Sequence, residues 1–197
     1  MNAKDLVITR TFDAPSARRV TTKKILIVLA VVVVAFAAVV ALQPAEFRIA
    51  RTARIAAPPA DVFTHVNDPK KMQAWSPFAK LDPAAQNRFE GPAAGVGAAM
   101  SWSGNRDVGE GRMTIVESRP GDLVRMRLDI TKPFAGTSYA EFTFRPDGAG
   151  TSVTWSLTGR NGFLARAFCL FADMDKMVGG SFEQGLAALK ALTEKAS

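Results

Sequence analysis

The sequence predicts an α+β fold, a curved antiparallel sheet wrapped around a long C-terminal helix, preceded by one apolar helix. Three observations carry that expectation. Residues 25–42 read ILIVLAVVVVAFAAVVAL without a polar interruption. Between residues 47 and 158, short segments alternate apolar and polar side chains and are separated by turn residues. Residues 164–195 then place apolar side chains at helical spacing. Alternation at period two marks half-buried strands, and the 3.6 period marks a helix with one buried face.

The apolar run is long enough for a bilayer: eighteen residues rising ~1.5 Å each span about 27 Å, against a hydrocarbon thickness of ~30 Å. The head before it carries Lys4, Arg10, Arg18, Arg19, Lys23 and Lys24 against Asp5 and Asp13, a net of +4. Beyond it, Glu46, Arg48, Arg51 and Arg54 give only +2. Cations beside a span are retained in the cytoplasm. The expectation is therefore a single-pass membrane anchor, with the N-terminus cytoplasmic and the domain on the periplasmic or extracellular side. A cleaved secretory signal is the alternative, with Val39-Val40-Ala41 as its small-residue site. Against it, the apolar run exceeds the ~7–15 residues of a usual signal core.

Residues 47–197 form one domain of ordinary size, following a basic head at 1–24, expected to be disordered, and the helix at 25–42. The whole chain carries a net charge of +7. Residues 47–197 hold 19 Lys/Arg and 15 Asp/Glu with the signs mixed, and no basic helix or basic-aromatic patch appears. The excess is read as topology and lipid contact, and no nucleic-acid partner is expected. There is one cysteine, Cys169, and one histidine, His65. A disulfide within the chain and a Cys/His zinc cluster are excluded at once. Cys169 lies in an apolar helical pattern and reads as a buried inert thiol, and His65 as a partly exposed structural imidazole.

The elements follow in order. Residues 47–56 read as a strand stopped by Ala57-Pro58-Pro59, and a helix opens with Asp61 in its first turn and Val62, Phe63 and Val66 on its apolar face. A second short helix over 69–75 breaks at Ser76-Pro77. Strands follow at about 87–90, 98–103, 111–118, 123–132, 139–145 and 152–158. Pro120-Gly121 and Asp147-Gly148 supply the fixed φ and the positive φ of tight turns, so neighbouring strands form hairpins. A single long helix over 164–195 closes the chain. Gly179-Gly180 interrupts it at a cost of about 1 kcal/mol per glycine relative to Ala. Either the bare backbone presses on the sheet or the helix bends there over the mouth of a hollow.

Alternate side chains of a strand share a face. One class is apolar: Ala98, Met100, Trp102, Met113, Ile115, Val124, Met126, Leu128, Ile130, Ala140, Phe142, Phe144, Val153, Trp155 and Leu157. The other carries Arg112, Thr114, Arg125, Arg127, Asp129, Glu141 and Arg145 and faces solvent. The inward class has no carboxylate, imidazole or phenol, so a general acid or base is missing from the strand interiors. Met100, Trp102, Met113, Met126, Phe142, Trp155, Phe171 and Met174 suit an adaptable apolar cavity for a hydrophobic small molecule or lipid. A solid core built from the same residues remains open. Polar candidates stand at the margins: Arg106, Glu110, Lys132, Asp173, Asp175 and Lys176. Neither Asp107 with Glu110 nor Asp173 with Asp175 makes a metal site, no phosphate loop is present, and no cofactor is expected.

Ala57-Pro58-Pro59-Ala60-Asp61-Val62-Phe63, Asn67-Asp68-Pro69, Trp75-Ser76-Pro77-Phe78, Phe89-Glu90-Gly91-Pro92, Gly95-Val96-Gly97, Gly109-Glu110-Gly111-Arg112-Met113 and Asp173-Met174-Asp175-Lys176-Met177 resemble the SRPBCC superfamily of polyketide cyclases/dehydrases and lipid-transport proteins, over nearly all of 47–197. The resemblance implies the helix-grip fold and adds Trp75 to the candidate ligand contacts. It implies binding of sterols, lipids, polyketides or hormones, with cyclase or hydrolase activity as an alternative, and it selects no activity by itself. A non-catalytic interaction module with a filled core is a further alternative. Leu6 to Val20 carries a weaker echo of the same superfamily, with Thr9, Ala14, Pro15 and Ala17 matching Thr52, Ala57, Pro58 and Ala60.

Overall fold

The computed structural model describes residues 22–195. The expected disorder of the head and its echo at residues 6–20 lie outside the described residues. The chain divides into two compact units, the second beginning at Val40. Helix α1 (Thr22–Leu42), whose residues up to Val39 belong to the first, starts three residues before the apolar run, so Lys23 and Lys24 form its first turn. Its mean hydropathy of 3.4 over an eighteen-residue window and its length suffice for crossing a membrane.

In the second unit the elements are β1 (Glu46–Ile55), α2 (Pro59–Val66), α3 (Pro69–Met72), α4 (Pro77–Leu81), β2 (Gln86–Glu90), β3 (Ala99–Ser103), β4 (Glu110–Arg119), β5 (Leu123–Lys132), β6 (Gly136–Asp147), β7 (Gly150–Arg160), α5 (Phe163–Cys169) and α6 (Met174–Glu194). The strands form one antiparallel sheet in the order β1-β7-β6-β5-β4-β3-β2. Consecutive strands pair as hairpins, and β1 returns to close on β7, with Glu46 opposite Arg160 and Ile55 opposite Thr151. Gly121 and Gly148 take φ of +66° and +60° at the tight turns. Register shifts between Glu110 and Gly111 and between Ile115 and Glu117 in β4 are bulges of the kind that bend a sheet.

The inward class of strand residues is the core. Ile115, Val124, Met126, Phe142, Phe144, Val153 and Trp155 are buried together with Val62, Phe63 and Val66 of α2 and Phe182, Leu186 and Leu189 of α6. The helix α4 was not foreseen, because Ser76-Pro77 reads as a breaker, yet proline at a first helical position has the right φ and no amide to satisfy.

The expected single long helix is two. α5 ends at its cap Leu170, and α6 starts with Asp173, whose side chain accepts the Lys176 amide. The helical periodicity ran through this break because Phe171 lies between the two helices, where it is 82% exposed. α6 itself is continuous through Gly179-Gly180, and at Gly179 the bare backbone makes a close contact with the sheet. Asp175, Gly179 and Glu183 are spaced four apart on one face, and across it lies Arg51 of β1. Its guanidinium donates to Asp175 Oδ2 at 2.8 Å and to Glu183 Oε1 at 2.7 Å. A Cβ at Gly179 would collide with that guanidinium, whereas one at Gly180 would meet open space. The carboxylates hold the Arg51 pKa above its ordinary value, first through Asp175 and then Glu183. At the far end Lys190 Nζ donates to Arg54 O at 2.9 Å, and the Ala56 amide donates to Glu194 Oε1 at 2.7 Å.

This asymmetry is measurable in urea unfolding. Gly180→Ala is expected to stabilise the domain by about 0.5–1 kcal/mol, the helix-interior penalty of glycine. Gly179→Ala is expected to destabilise it, because the added methyl displaces Arg51 from its carboxylates. Equal effects of the two would place the contact elsewhere.

Candidate functional site: an apolar hollow under the sheet

α6 lies chiefly against β1, and the short helices α2 to α4 pack beside it on the same face of the sheet. Between them the inner face of β3, β4 and β5 is left partly uncovered, and a hollow of about 300 Å³ remains. Its walls are Met100 and Trp102 of β3, Met113 of β4, Met126, Leu128 and Ile130 of β5, Ala140 and Phe142 of β6, Trp155 and Leu157 of β7, and Val178 and Phe182 of α6. Met72, Phe78 and Ala79 complete it from α3 and α4. Such a volume is at the lower end of small-molecule pockets.

Two tryptophans shape the hollow. Trp155 stacks on Phe182 at 4.0 Å and on Phe142 at 4.8 Å between ring centroids, and Trp75 and Phe78 meet it edge-on. Gly185 makes room for it: a Cβ there would come within 2.7 Å of Trp155 Cζ3 and 2.9 Å of Pro77 Cδ. Trp155 is buried and its Nε1 has no hydrogen-bond partner. An unpaired buried donor costs roughly 1–3 kcal/mol, a cost that an acceptor reaching it would remove. Trp102 lies across Gly111, where a Cβ would come within 2.7 Å of its Cζ2, and its Nε1 donates to Val108 O at 3.3 Å.

Of the nine candidate contacts, Met100, Trp102, Met113, Met126, Phe142 and Trp155 line the hollow together. Trp75 stands behind that wall. It is fully buried, its Nε1 donates to His65 O at 3.0 Å, and its ring meets Phe142 and Trp155 edge-on. Met174 packs against the core and Phe171 stands at the helix break, and neither is among the lining residues.

The polar lining residues were missed: Gln73, Ser76, Asp82, Asn87 and Asp107. Four lie in the turns and loops between elements, where strand parity says nothing, and Asn87 lies on the short edge strand β2. Gln73 Nε2 donates to Met100 Sδ at 3.0 Å and its Oε1 accepts from Asn87 at 3.3 Å. Asp82 accepts from the amides of Ala84 and Asn105 at 3.1 and 2.7 Å, tying the segment after α4 to the β3–β4 loop. Most marginal candidates are engaged with one another or with the frame. Glu110 pairs with Lys132 at 3.0 Å, Asp173 with Lys176 at 3.4 Å, and Asp175 with Arg51. Hydrogen bonding to Lys132 holds the Glu110 pKa below its usual value. Among the described residues no group of three or more His, Cys, Asp or Glu is placed to hold a metal ion. Cys169 is half-buried rather than buried, with Asn161 Nδ2 at 3.7 Å from its Sγ.

Burial lowers the His65 pKa, with Lys71 adding to the effect and Asp61 opposing it. A histidine whose folded pKa lies below its unfolded value of about 6.5 contributes stability that is complete above that value and is lost as pH falls through the folded pKa. Between pH 7 and pH 5 the domain is therefore expected to lose stability, and His65→Asn to flatten that slope in urea titrations. An unchanged slope in the variant would assign it to carboxylates instead.

A curved antiparallel sheet gripping a C-terminal helix over an apolar hollow defines the helix-grip class. The chain belongs to the family described as polyketide cyclase / dehydrase and lipid transport, whose model matches residues 46–194. Among curated proteins no match is found. Solved structures with the same fold include protein CV1439 from Chromobacterium violaceum, 20% identical with a TM-score of 0.54, covering 77% of this chain and 99% of that one. The Aha1 dimer from Colwellia psychrerythraea is 15% identical with a TM-score of 0.52, covering 73% of this chain and 93% of that one. The di-domain ARO/CYC StfQ from the steffimycin biosynthetic pathway is 12% identical with a TM-score of 0.56, covering 77% of this chain and 52% of that one.

Proposed function

We propose that the protein is a membrane-anchored binding or carrier domain for a hydrophobic small molecule or lipid. The observation that carries this reading is the hollow: an apolar volume of about 300 Å³ under the sheet, walled by methionines and aromatic rings. Methionine and aromatic walls adapt to ligands of varied shape. The unpartnered Trp155 Nε1 favours a ligand with an oxygen acceptor at one point of an otherwise apolar body. Helix α1 serves as the anchor, with its basic flank in the cytoplasm and the domain outside.

Displacement of an apolar fluorophore from the full-length protein by extracted membrane lipids tests the binding role, and failure of any lipid to compete would contradict it. A reporter active only outside the cytoplasm, fused after Ser197, is expected to be active and membrane-bound; a silent reporter reverses the orientation, and a soluble product indicates cleavage. The cyclase or hydrolase alternative draws on Asp82 and Asp107 at the lining. It requires that Asp82→Asn or Asp107→Asn abolish turnover while leaving probe binding intact.

A further inference from the structure

We propose that one end of the domain, the face formed by α5 and the β5–β6 loop, is seated in the interface of the same bilayer that holds the anchor; this rests on the anchoring reading above. The compact unit of the domain begins at Val40, so Val40–Leu42, the last residues of the apolar run, belong to the domain itself. Val40 is fully buried there. Only residues 43–45 separate the run from β1, and they are fastened to α5 and its approach. Arg166 Nη1 donates to Ala41 O at 3.1 Å and to Gln43 O at 3.4 Å, and the Asn161 amide donates to Ala45 O at 2.7 Å. The chain from Val40 onward is thus held by the domain itself.

The sheet register defines which parts share that end. β1 begins there opposite the end of β7, β5 ends there opposite the start of β6, and β4 begins there opposite Lys132. Here the surface is apolar. Phe163 is 46% exposed, Leu164 68%, Phe168 44%, Phe171 82% and Phe134 44%, with the rings of Phe134 and Phe168 6.2 Å apart. A patch of this composition on a soluble face marks a contact surface, and aromatic side chains concentrate at bilayer interfaces. Arg106 and Arg160, both exposed at the same end, add positive charge suited to anionic headgroups. The hollow reaches this end too, through Ile130, Leu157 and Val178. Seating the face in lipid would therefore set the hollow against the bilayer from which an apolar ligand comes.

The test uses the full chain in vesicles of mixed phosphatidylcholine and phosphatidylglycerol, in a Cys169→Ser background. Nitroxide labels are placed singly through Leu164→Cys, Phe171→Cys, Val34→Cys and Ala93→Cys, the last in the exposed loop at the opposite end of the sheet. The first two sites are too exposed for their substitution to unfold the domain. Labels at 164 and 171 are expected to collide several-fold more often with oxygen than with a water-soluble nickel chelate, as the label at 34 does, while the label at 93 shows the reverse. Aqueous behaviour at 164 and 171 with a lipid-like label at 34 overturns this proposal and leaves the anchor standing. An aqueous label at 34 overturns the anchor and the proposal with it. Spin–spin coupling between copies at 164 or 171 overturns the proposal in favour of contact with a second copy.

Discussion

Trp75→Ala is expected to destabilise the domain by about 3–5 kcal/mol, the range for deleting a buried aromatic ring from a core. For a domain of this size that is a fall in Tm of roughly 10 °C, at about 2–4 °C per kcal/mol. The ring is fully buried and holds the hollow's wall from behind, meeting Phe142 at 5.8 Å and Trp155 at 5.7 Å in edge-on contacts. Its indole also ties α2 to the segment after α3 through His65 O. Trp75→Phe keeps most of the ring contact and removes only that bond, so it is expected to cost less than Trp75→Ala. Thermal melts and urea titrations of the pair check the assignment: equal costs would mean that the bond, and not the ring, carries the contribution.

Filling the hollow is expected to produce the largest functional effect. Leu128 and Leu157 are half-buried residues of its lining. Leu128→Trp combined with Leu157→Trp places two indoles in space that no side chain occupies. Apolar probe binding is expected to weaken at least about a hundredfold, or ~2.7 kcal/mol. Stability is expected to stay within about 1 kcal/mol, because the cost of overpacking arises where a core is already filled. Fluorescence titration and urea unfolding of the double variant separate the outcomes. Undiminished probe binding would place the ligand elsewhere, and a large stability loss would mean that the hollow has no room for the rings.

The strands were legible because one face of the sheet is buried and the other wet. Met113, Met126, Phe142 and Trp155 stand on the inward parity that their spacing implies, and Pro and Gly mark the turns between them. Side-chain spacing, however, could not distinguish a hollow from a solid core. That difference depends on where α6 lies across the sheet, and its position is fixed by long-range partners: Arg51 against Asp175 and Glu183, and Ala56 against Glu194. The helix break escaped notice for a related reason. Phe171 continues the apolar period in sequence, while Asp173, a good N-cap, was the local signal that a new helix begins. Gly179 and Gly185 showed that the helix makes close contacts but not with what, since Arg51 and Trp155 are 128 and 30 residues away in the chain. The polar rim of Gln73, Asp82, Asn87 and Asp107 had no pattern to reveal it, being assembled from loops and a sheet edge.

The central claim is that the hollow holds an apolar ligand. Native mass spectrometry of the full-length protein, extracted in mild detergent alongside the double Trp variant, tests it most directly. The account predicts a wild-type species heavier than the chain by the mass of one lipid or comparable apolar molecule, released on activation, and a variant at the bare mass. A wild type at the bare mass, or the same adduct on both proteins, would contradict it.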